Sequence, residues 1–251
     1  MNLSFFHLNI QTGRNLEQII DYVKKESFDI IHFQEVSRGI GRRGSDDTFA
    51  ILKKELGYQG ELAISLRIKN EETSYFGNAT LYKNGLQVKN KKIIWLNPYV
   101  EFTRHEISMQ EVMMRFPRLA LALQFQLKKE VWFVNTHLAW GPTPEDKPYK
   151  IEQGKILSSF ISTLEEPFVL SGDFNVTKSS QIIKDLNTFA TNHAEQLSNT
   201  LNPRLHRVTS LFPPGLAVDF IYTNKLFTSE FSLVNDVDLS DHFGLKIKLD
   251  I

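Results

Sequence analysis

Short apolar runs that end on polar residues are the feature that most limits what this chain can fold into. Leu3 to Ile10 and Phe28 to Phe33 have strand character, and between them Leu16, Ile19, Ile20 and Val23 recur at helical spacing. The chain therefore opens with a strand, a helix and a second strand. After a loop rich in Gly and Arg (Ser37 to Gly44), Asp46 or Asp47 is placed to cap a helix through Phe49, Leu52 and Leu56. Strands are predicted at Gln59–Ile64, Tyr75–Tyr82, Lys92–Leu96, Leu119–Leu127 and Val131–Thr136, with turns at Asn84-Gly85 and Lys128-Lys129. A helix from Ile151 to Leu164, a strand at Phe168–Leu170 and a helix near Gln181–Phe189 come next, then strands at Val218–Thr223, Phe231–Asn235 and Phe243–Leu249. Pro98, Pro142, Pro144 and the pair Pro213-Pro214 mark loops, with no long Gly/Ser linker, repeat or low-complexity tract. Two strand-rich halves with helices outside, packed as one α/β sandwich, are the expected architecture.

Composition narrows the function classes. The length of 251 residues fits one domain over 1–251, and 41% hydrophobic with 23% charged residues excludes a disordered tail, a collagen or a coiled coil. Twenty-nine basic residues balance twenty-nine acidic ones, so any attraction to nucleic acid or anionic membrane has to be local. The absence of cysteine removes disulfides, Cys-ligated zinc, iron–sulfur clusters and thiol catalysis. The N-terminal MNLSFFHLNI lacks a basic region and reads as a strand, not a signal peptide, and no apolar run approaches ~20 residues. A cytoplasmic monomer without a transmembrane segment is expected.

The chemistry-bearing residues stand where strands end. Asn9 closes the first strand; Gln34-Glu35 ends Ile30-Ile31-His32-Phe33; Thr136-His137 ends Phe133-Val134-Asn135; Gly172-Asp173-Phe174-Asn175 follows Phe168-Val169-Leu170; Asp219 sits in Val218-Asp219-Phe220; Ser240-Asp241-His242 introduces the last strand. Singly, each has an ordinary structural role: a surface acid, a hydrogen-bonded core histidine, an Asx-turn, a capped turn. Together they are delivered to one edge of a sheet and would repel there unless a cation compensated them. A set of acidic oxygens favours Mg²⁺, with Mn²⁺ able to substitute, over zinc.

In this order, from residue 9 to 242, the motifs resemble the endonuclease/exonuclease/phosphatase superfamily. The resemblance implies a four-layer sandwich of two mixed β-sheets flanked by helices. It also implies a metal-dependent phosphodiesterase in which Glu35 is the principal Mg²⁺ ligand beside Asn9 and Asp241. Asp173 would then orient or deprotonate the attacking water, and Asn175 would hold a phosphate oxygen. His242 would bond the phosphate with Asp219 fixing its tautomer, and His137 would be the second imidazole, as acid or as donor. Arg118 matches a place where many members carry an arginine or tyrosine facing the phosphate, and Gly77-Asn78-Ala79 resembles a segment that touches substrate.

Substrate class is read from weaker features. Arg38, Arg42 and Arg43 lie in a glycine-rich loop just after the metal ligand, and Lys83, Lys89, Lys91 and Lys92 form a second basic stretch. Trp140, close to His137, is placed either to stack a base or to pack under the loop. The lysine expected after the acid pair in abasic-site endonucleases is missing from Val36-Ser37-Arg38, and the extended signatures of inositol-polyphosphate 5-phosphatases are not found. Ile93 to Val100 is the one candidate lipid-facing hairpin and is expected to pack as a strand. Nucleic acid is the first-choice substrate, a lipid or small-molecule phosphoester the alternative, and a non-catalytic binding module the third.

Overall fold

The structure, a computed structural model, describes residues 2–109, 114–207, 215–224 and 228–251; the Pro213-Pro214 pair lies outside them. Twelve strands form two six-stranded sheets. The first sheet has the order β11 (Thr228–Val234), β12 (Gly244–Asp250), β1 (Asn2–Asn9), β2 (Ile30–Arg38), β4 (Tyr75–Tyr82), β3 (Gln59–Leu66). The second has the order β5 (Gln87–Asn97), β6 (Arg118–Gln126), β7 (Glu130–His137), β8 (Phe168–Asp173), β10 (Asp219–Thr223), β9 (Thr191–Asn192). Among the described residues the α-helices are α1 (Leu16–Glu26), α2 (Thr48–Leu56), α3 (Pro148–Ser162) and α4 (Gln181–Asn187). None is long and apolar enough to cross a membrane.

Each sheet is built around one parallel pair, β1 with β2 and β7 with β8, and the other pairings are antiparallel. Helices α1 and α3 make the two parallel crossovers. α1 buries Leu16, Ile19, Ile20 and Val23, the spacing seen in the sequence, and ends at Ser27 in the left-handed region (φ 55). For α2 the cap is Asp47, whose carboxylate accepts from Ala50 N at 2.9 Å. α3 starts at Pro148, earlier than expected, because proline suits the first turn of a helix.

Period-two alternation sorts side chains between the layers. Leu3, Phe5, Ile30, Phe125, Phe133, Ile247 and Leu249 fill the space between the sheets, whereas Phe6, Leu8, Ile31 and Phe33 pack outward beneath α1 and α2. Toward one end of the sandwich the interior turns polar: His7, His32, Gln34, Asn78, Thr80, Asn135 and Ser171 are all buried there. Asn78 belongs to this layer and donates its amide to the Leu119 carbonyl at 3.2 Å, bridging the sheets.

Three expectations change. The two sheets do not correspond to the two halves of the chain, because β11 and β12 return to flank β1. The two-residue β9, too short to carry a periodic signal, is an addition. The Ile93–Val100 stretch does contribute to a strand, but β5 is an edge with β6 as its one neighbour, and Ile93, Trp95, Tyr99 and Val100 stay exposed.

Gly172 pairs with Thr136 across β7 and β8, and a Cβ added there would lie 2.3 Å from the Thr136 carbonyl oxygen. No rotamer change relieves a clash with backbone. Gly172→Ala is expected to lower stability by about 1–3 kcal/mol, read as an earlier midpoint in urea at unchanged slope. An unshifted midpoint would contradict this packing.

Candidate active site

Topology places the polar strand ends together. Asn9, Glu35, His137 and Asp173 lie at or near the carboxyl ends of the four parallel strands. Antiparallel β10 brings its first residue, Asp219, opposite Asp173; β6 likewise starts with Arg118 at this edge. His242 precedes β12, which runs antiparallel to β1. A cleft of about 630 Å³ opens here, lined by Glu35, Arg118, His137, Trp140, Asp173, Asn175, Asp241 and His242 together with a wall that includes Ile40, Phe76, Ile107 and Phe116.

Glu35 reaches the cleft through a β-bulge. The register between β2 and β4 shifts between Phe33 and Val36, and Glu35 adopts φ 60. Left-handed backbone in a non-glycine strand residue costs of order 1 kcal/mol and marks a functional position. The bulge turns Gln34 into the inter-sheet layer and Glu35 into the cleft. Burial and then the nearby Asp241 carboxylate push the Glu35 carboxyl up to about 7.

Asn9 donates its amide to Glu35 Oε1 (3.3 Å) and Asp173 Oδ2 (3.0 Å), while its own oxygen accepts Gln11 N at 3.1 Å. Gln11 also donates to Asp241 Oδ2 at 2.5 Å. The Asp173 Oδ1 accepts Asn175 N at 2.9 Å, an Asx-turn that holds Asn175 at φ 52. Asn175 gives its side-chain amide to the Leu138 carbonyl at 3.1 Å. Burial and Asp219 raise the Asp173 carboxyl.

The two imidazoles differ in charge. Burial alone disfavours His242 as a cation, but Asp219 and Asp173 outweigh it and hold its pKa well above the ordinary histidine range. His242 Nδ1 donates to Asp219 Oδ2 at 2.8 Å, and its Nε2 lies 3.8 Å from Asp173 Oδ2. His137 goes the other way, lowered by burial, by Arg118 and by His242. Arg118 Nη1 can only donate, so His137 Nδ1, 3.4 Å away, accepts, and the ring hydrogen sits on Nε2, 3.5 Å from Asp173 Oδ2. His137 is thus a neutral donor. Burial brings the Arg118 guanidinium down to about 10, still charged at neutral pH.

The remaining sequence-predicted residues do not line the cleft. Asn78 is in the buried layer; Arg38 is 3.6 Å from Asp47; Arg43 pairs with Glu17 (3.0 Å) and Asp46 (3.2 Å). Arg42 is exposed and, among the described residues, pairs with no carboxylate. Sequence reasoning missed four contributors. His7 and Thr200 both bond Asp219, Gln11 bonds Asp241, and buried Lys150 donates to the carbonyls of Thr143 (3.1 Å) and Asn175 (2.9 Å). For His7 the signal was its place two residues before Asn9 on one strand face. For Lys150 it was a lysine in the buried series with Gln153, Gly154, Leu157 and Ile161.

Among the described residues, two groups have ligand atoms within 4.8 Å of one another: His206, Asp241 and His242, and Asp173, Asp219 and His242. An imidazolium cannot ligate, so His242 argues against both as metal cages. Glu35, whose proton affinity burial and the Asp241 carboxylate raise, and Asp241 itself are the better fit to a hard divalent cation, with Asn9 beside them.

A carboxyl whose pKa rises on folding binds its proton more tightly folded than unfolded. The penalty of burying Glu35 therefore sets in above its ordinary 4.5 and is complete above about 7. In metal-free protein, Glu35→Gln is expected to raise the melting temperature progressively more from pH 5 to pH 8. A wild-type-to-variant difference that stays flat over that range would contradict the assignment.

Comparison with known proteins now adds the lineage. No curated protein sequence matches the chain. Among solved structures, a mannosyl-6-phosphatase from Bacteroides thetaiotaomicron superposes with TM-score 0.72 at 18% identity, covering 99% of this chain and 100% of that one. The human Nocturnin catalytic domain gives 0.70 at 17%, covering 99% and 94%. A humanised TDP2 from D. rerio gives 0.65 at 15%, covering 100% and 99%. These likenesses establish the two-sheet sandwich. The model of the endonuclease/exonuclease/phosphatase family matches residues 6–242, and with the site residues in that family's order the chain belongs to the endonuclease/exonuclease/phosphatase family.

Proposed function

We propose that the protein is a divalent-metal-dependent phosphodiesterase that uses water as the nucleophile. The observation that carries this reading is the His242 imidazolium, bonded to Asp219 and facing Asp173 in a cleft that also holds Glu35, Asp241, Arg118 and His137. In-line hydrolysis needs positive charge at the non-bridging oxygens, a base for the water and relief at the leaving oxygen. A Mg²⁺ held by Glu35, Asp241 and Asn9 would neutralise phosphate charge when bound. Asp173, raised above the usual carboxylate range, accepts the proton of the attacking water as the water oxygen bonds to phosphorus. His242, Arg118 and the Nε2–H of His137 supply donors to the phosphoryl oxygens as the bond from phosphorus to the leaving oxygen breaks. Asn175 adds an amide at the same edge.

The substrate we assign first is nucleic acid. Trp140, Phe76 and Phe116 line the cleft that holds these donors, and aromatic side chains are the groups on which bases stack. A small-molecule or lipid phosphoester is the second reading, favoured by the ion pairs that occupy Arg38 and Arg43 and by the mannosyl-6-phosphatase among the structural neighbours. Mg²⁺-loaded protein assayed on single- and double-stranded DNA, RNA, sphingomyelin, a sugar phosphate and bis(p-nitrophenyl) phosphate separates the two.

Activity is expected to vanish on chelation and to return with Mg²⁺ or Mn²⁺; full turnover in verified metal-free protein would overturn metal dependence. His242→Ala is expected to cost about 10²–10³-fold in kcat with little change in KM. Of the loop arginines, Arg42 alone has no competing carboxylate, so Arg42→Ala on a long oligonucleotide should flatten the salt slope by about 0.7 to 0.9, while Arg38→Ala and Arg43→Ala barely alter it. An unchanged slope for Arg42→Ala would move the assignment to the second reading.

A further inference from the structure

Behind the cleft runs a chain of buried side chains whose hydrogen-bond directions are fixed from one end. Asn135 Nδ2 donates to two backbone carbonyls, Phe33 at 3.1 Å and Ala79 at 2.9 Å, so its Oδ1 must be the acceptor facing Gln34. Gln34 Nε2 donates to that Oδ1 at 2.6 Å and lies 3.3 Å from His7 Nδ1. A carbonyl has no hydrogen to give, so neither amide can flip without opposing like groups. His7 Nδ1 must therefore accept, and the ring hydrogen must sit on Nε2. That hydrogen points at Asp219 Oδ1, 3.1 Å away.

Asp219 is fully buried, and its two oxygens have separate partners. Oδ1 takes His7; Oδ2 takes Thr200 Oγ1 at 2.7 Å and His242 Nδ1 at 2.8 Å. Thr200 is itself fixed, its hydroxyl accepting Val218 N (3.0 Å) and Asp219 N (3.1 Å). A carboxylate held on Oδ2 alone can swing about its χ2 torsion and offer His242 a bent hydrogen bond. With a donor on each oxygen its plane is locked.

We propose that His7 is a positioning residue for the reaction: its Nε2–H locks the Asp219 carboxylate so that Oδ2 meets the His242 Nδ1–H in line. The kinetic part of this proposal rests on the phosphodiesterase reading; the hydrogen-bonding part does not. His7 touches no substrate, and its effect passes through Asp219.

Two measurements test it. Two-bond ¹H–¹⁵N correlation spectra of the histidine rings in metal-free protein are expected to show His7 as the Nε2–H form. They should also show the His242 Nδ1 hydrogen as a slowly exchanging downfield signal that broadens or disappears in His7→Leu. A His7 signal of the Nδ1–H form or of the imidazolium, or a His242 signal unchanged in His7→Leu, would overturn the proposal. In the kinetic arm, on a minimal diester with Mg²⁺, His7→Leu is expected to lower kcat about 10- to 100-fold, the usual scale for groups that orient a reacting residue, with KM within about twofold. His7→Gln, which keeps an N–H at similar reach, is expected to recover most of kcat. Equal rates for the Leu and Gln variants would overturn the proposal, and equal melting temperatures would show that both fold. Should wild-type protein hydrolyse no phosphoester, the phosphodiesterase reading fails on its own, and the ring spectra still decide the role of His7.

Discussion

One buried carboxylate, Asp219, orders the charges of the whole site. It has no access to water, and burial alone would push its carboxyl up, yet His242 and His7 hold it well below the usual carboxylate range. Removing a carboxylate from water costs several kcal/mol, and that cost is offset only when the remaining lone pairs are bonded. Here three side-chain donors and its own strand pairing satisfy it. Because Asp219 stays an anion, His242 stays a cation. His137 is kept neutral by burial first and by Arg118 next, with the His242 cation adding to the effect. Two imidazoles at one sheet edge thus acquire different chemistry, one paired with a buried anion and the other set beside cations.

The same carboxylate explains why the sandwich is apolar at one end and polar at the other. At the far end Phe133 meets Phe5 tilted and Phe125 edge to face, with ring centroids 5.8 Å and 5.5 Å apart. Nearer the cleft the strands continue, but their inward positions pass to His7, Gln34 and Asn135, which carry hydrogen bonds from backbone carbonyls to Asp219. A layer of this kind contributes less by burial than leucines would. What it supplies is direction. Each hydrogen bond is oriented by the one before it, so the carboxylate is presented in one arrangement and not in an average of several.

Much of the site was legible in the sequence, because a strand end is marked by the residue at which apolar alternation stops. Asn9, Glu35, His137, Asp173 and His242 all stand at such stops, and the structure gathers them into one place. His7 was only partly legible: its place two residues before Asn9 puts it on the same strand face, but a histidine between Phe6 and Leu8 has the same local pattern whether it packs or bonds. Thr200 carries no motif and reaches Asp219 only because the chain before β10 passes over it. The arginine loop was misleading in the opposite sense. Its residues are basic in sequence, but Glu17 and Asp46 approach Arg43 and Asp47 approaches Arg38 from α1 and from the start of α2, pairings that no local pattern announces. The return of β11 and β12 to the first sheet was hidden for the same reason, since it depends on long-range register and not on any run of residues.

Charge balance bears on the cation proposed for the site. His242 and Arg118 carry positive charge into the cleft; Asp219 is held as an anion, and the carboxyls of Asp173 and Glu35 are raised. Asp219 is matched by His242 at contact distance, and Arg118, although it sees both Glu35 and Asp173, cannot neutralise both. The carboxyls of Glu35 and Asp173 are raised first by burial and then by neighbouring carboxylates, Asp241 for Glu35 and Asp219 for Asp173. Protons can fill the deficit of positive charge, but a proton on Asp173 removes the base that hydrolysis needs. A divalent cation held by Glu35 and Asp241, as proposed, would fill the same deficit while leaving Asp173 free to accept. The aromatic wall of Phe76 and Phe116 sharpens the distinction by limiting the water that would otherwise screen these charges. On the phosphodiesterase reading proposed above, charge neutrality and a competent base would be reached together through a metal and not through protonation.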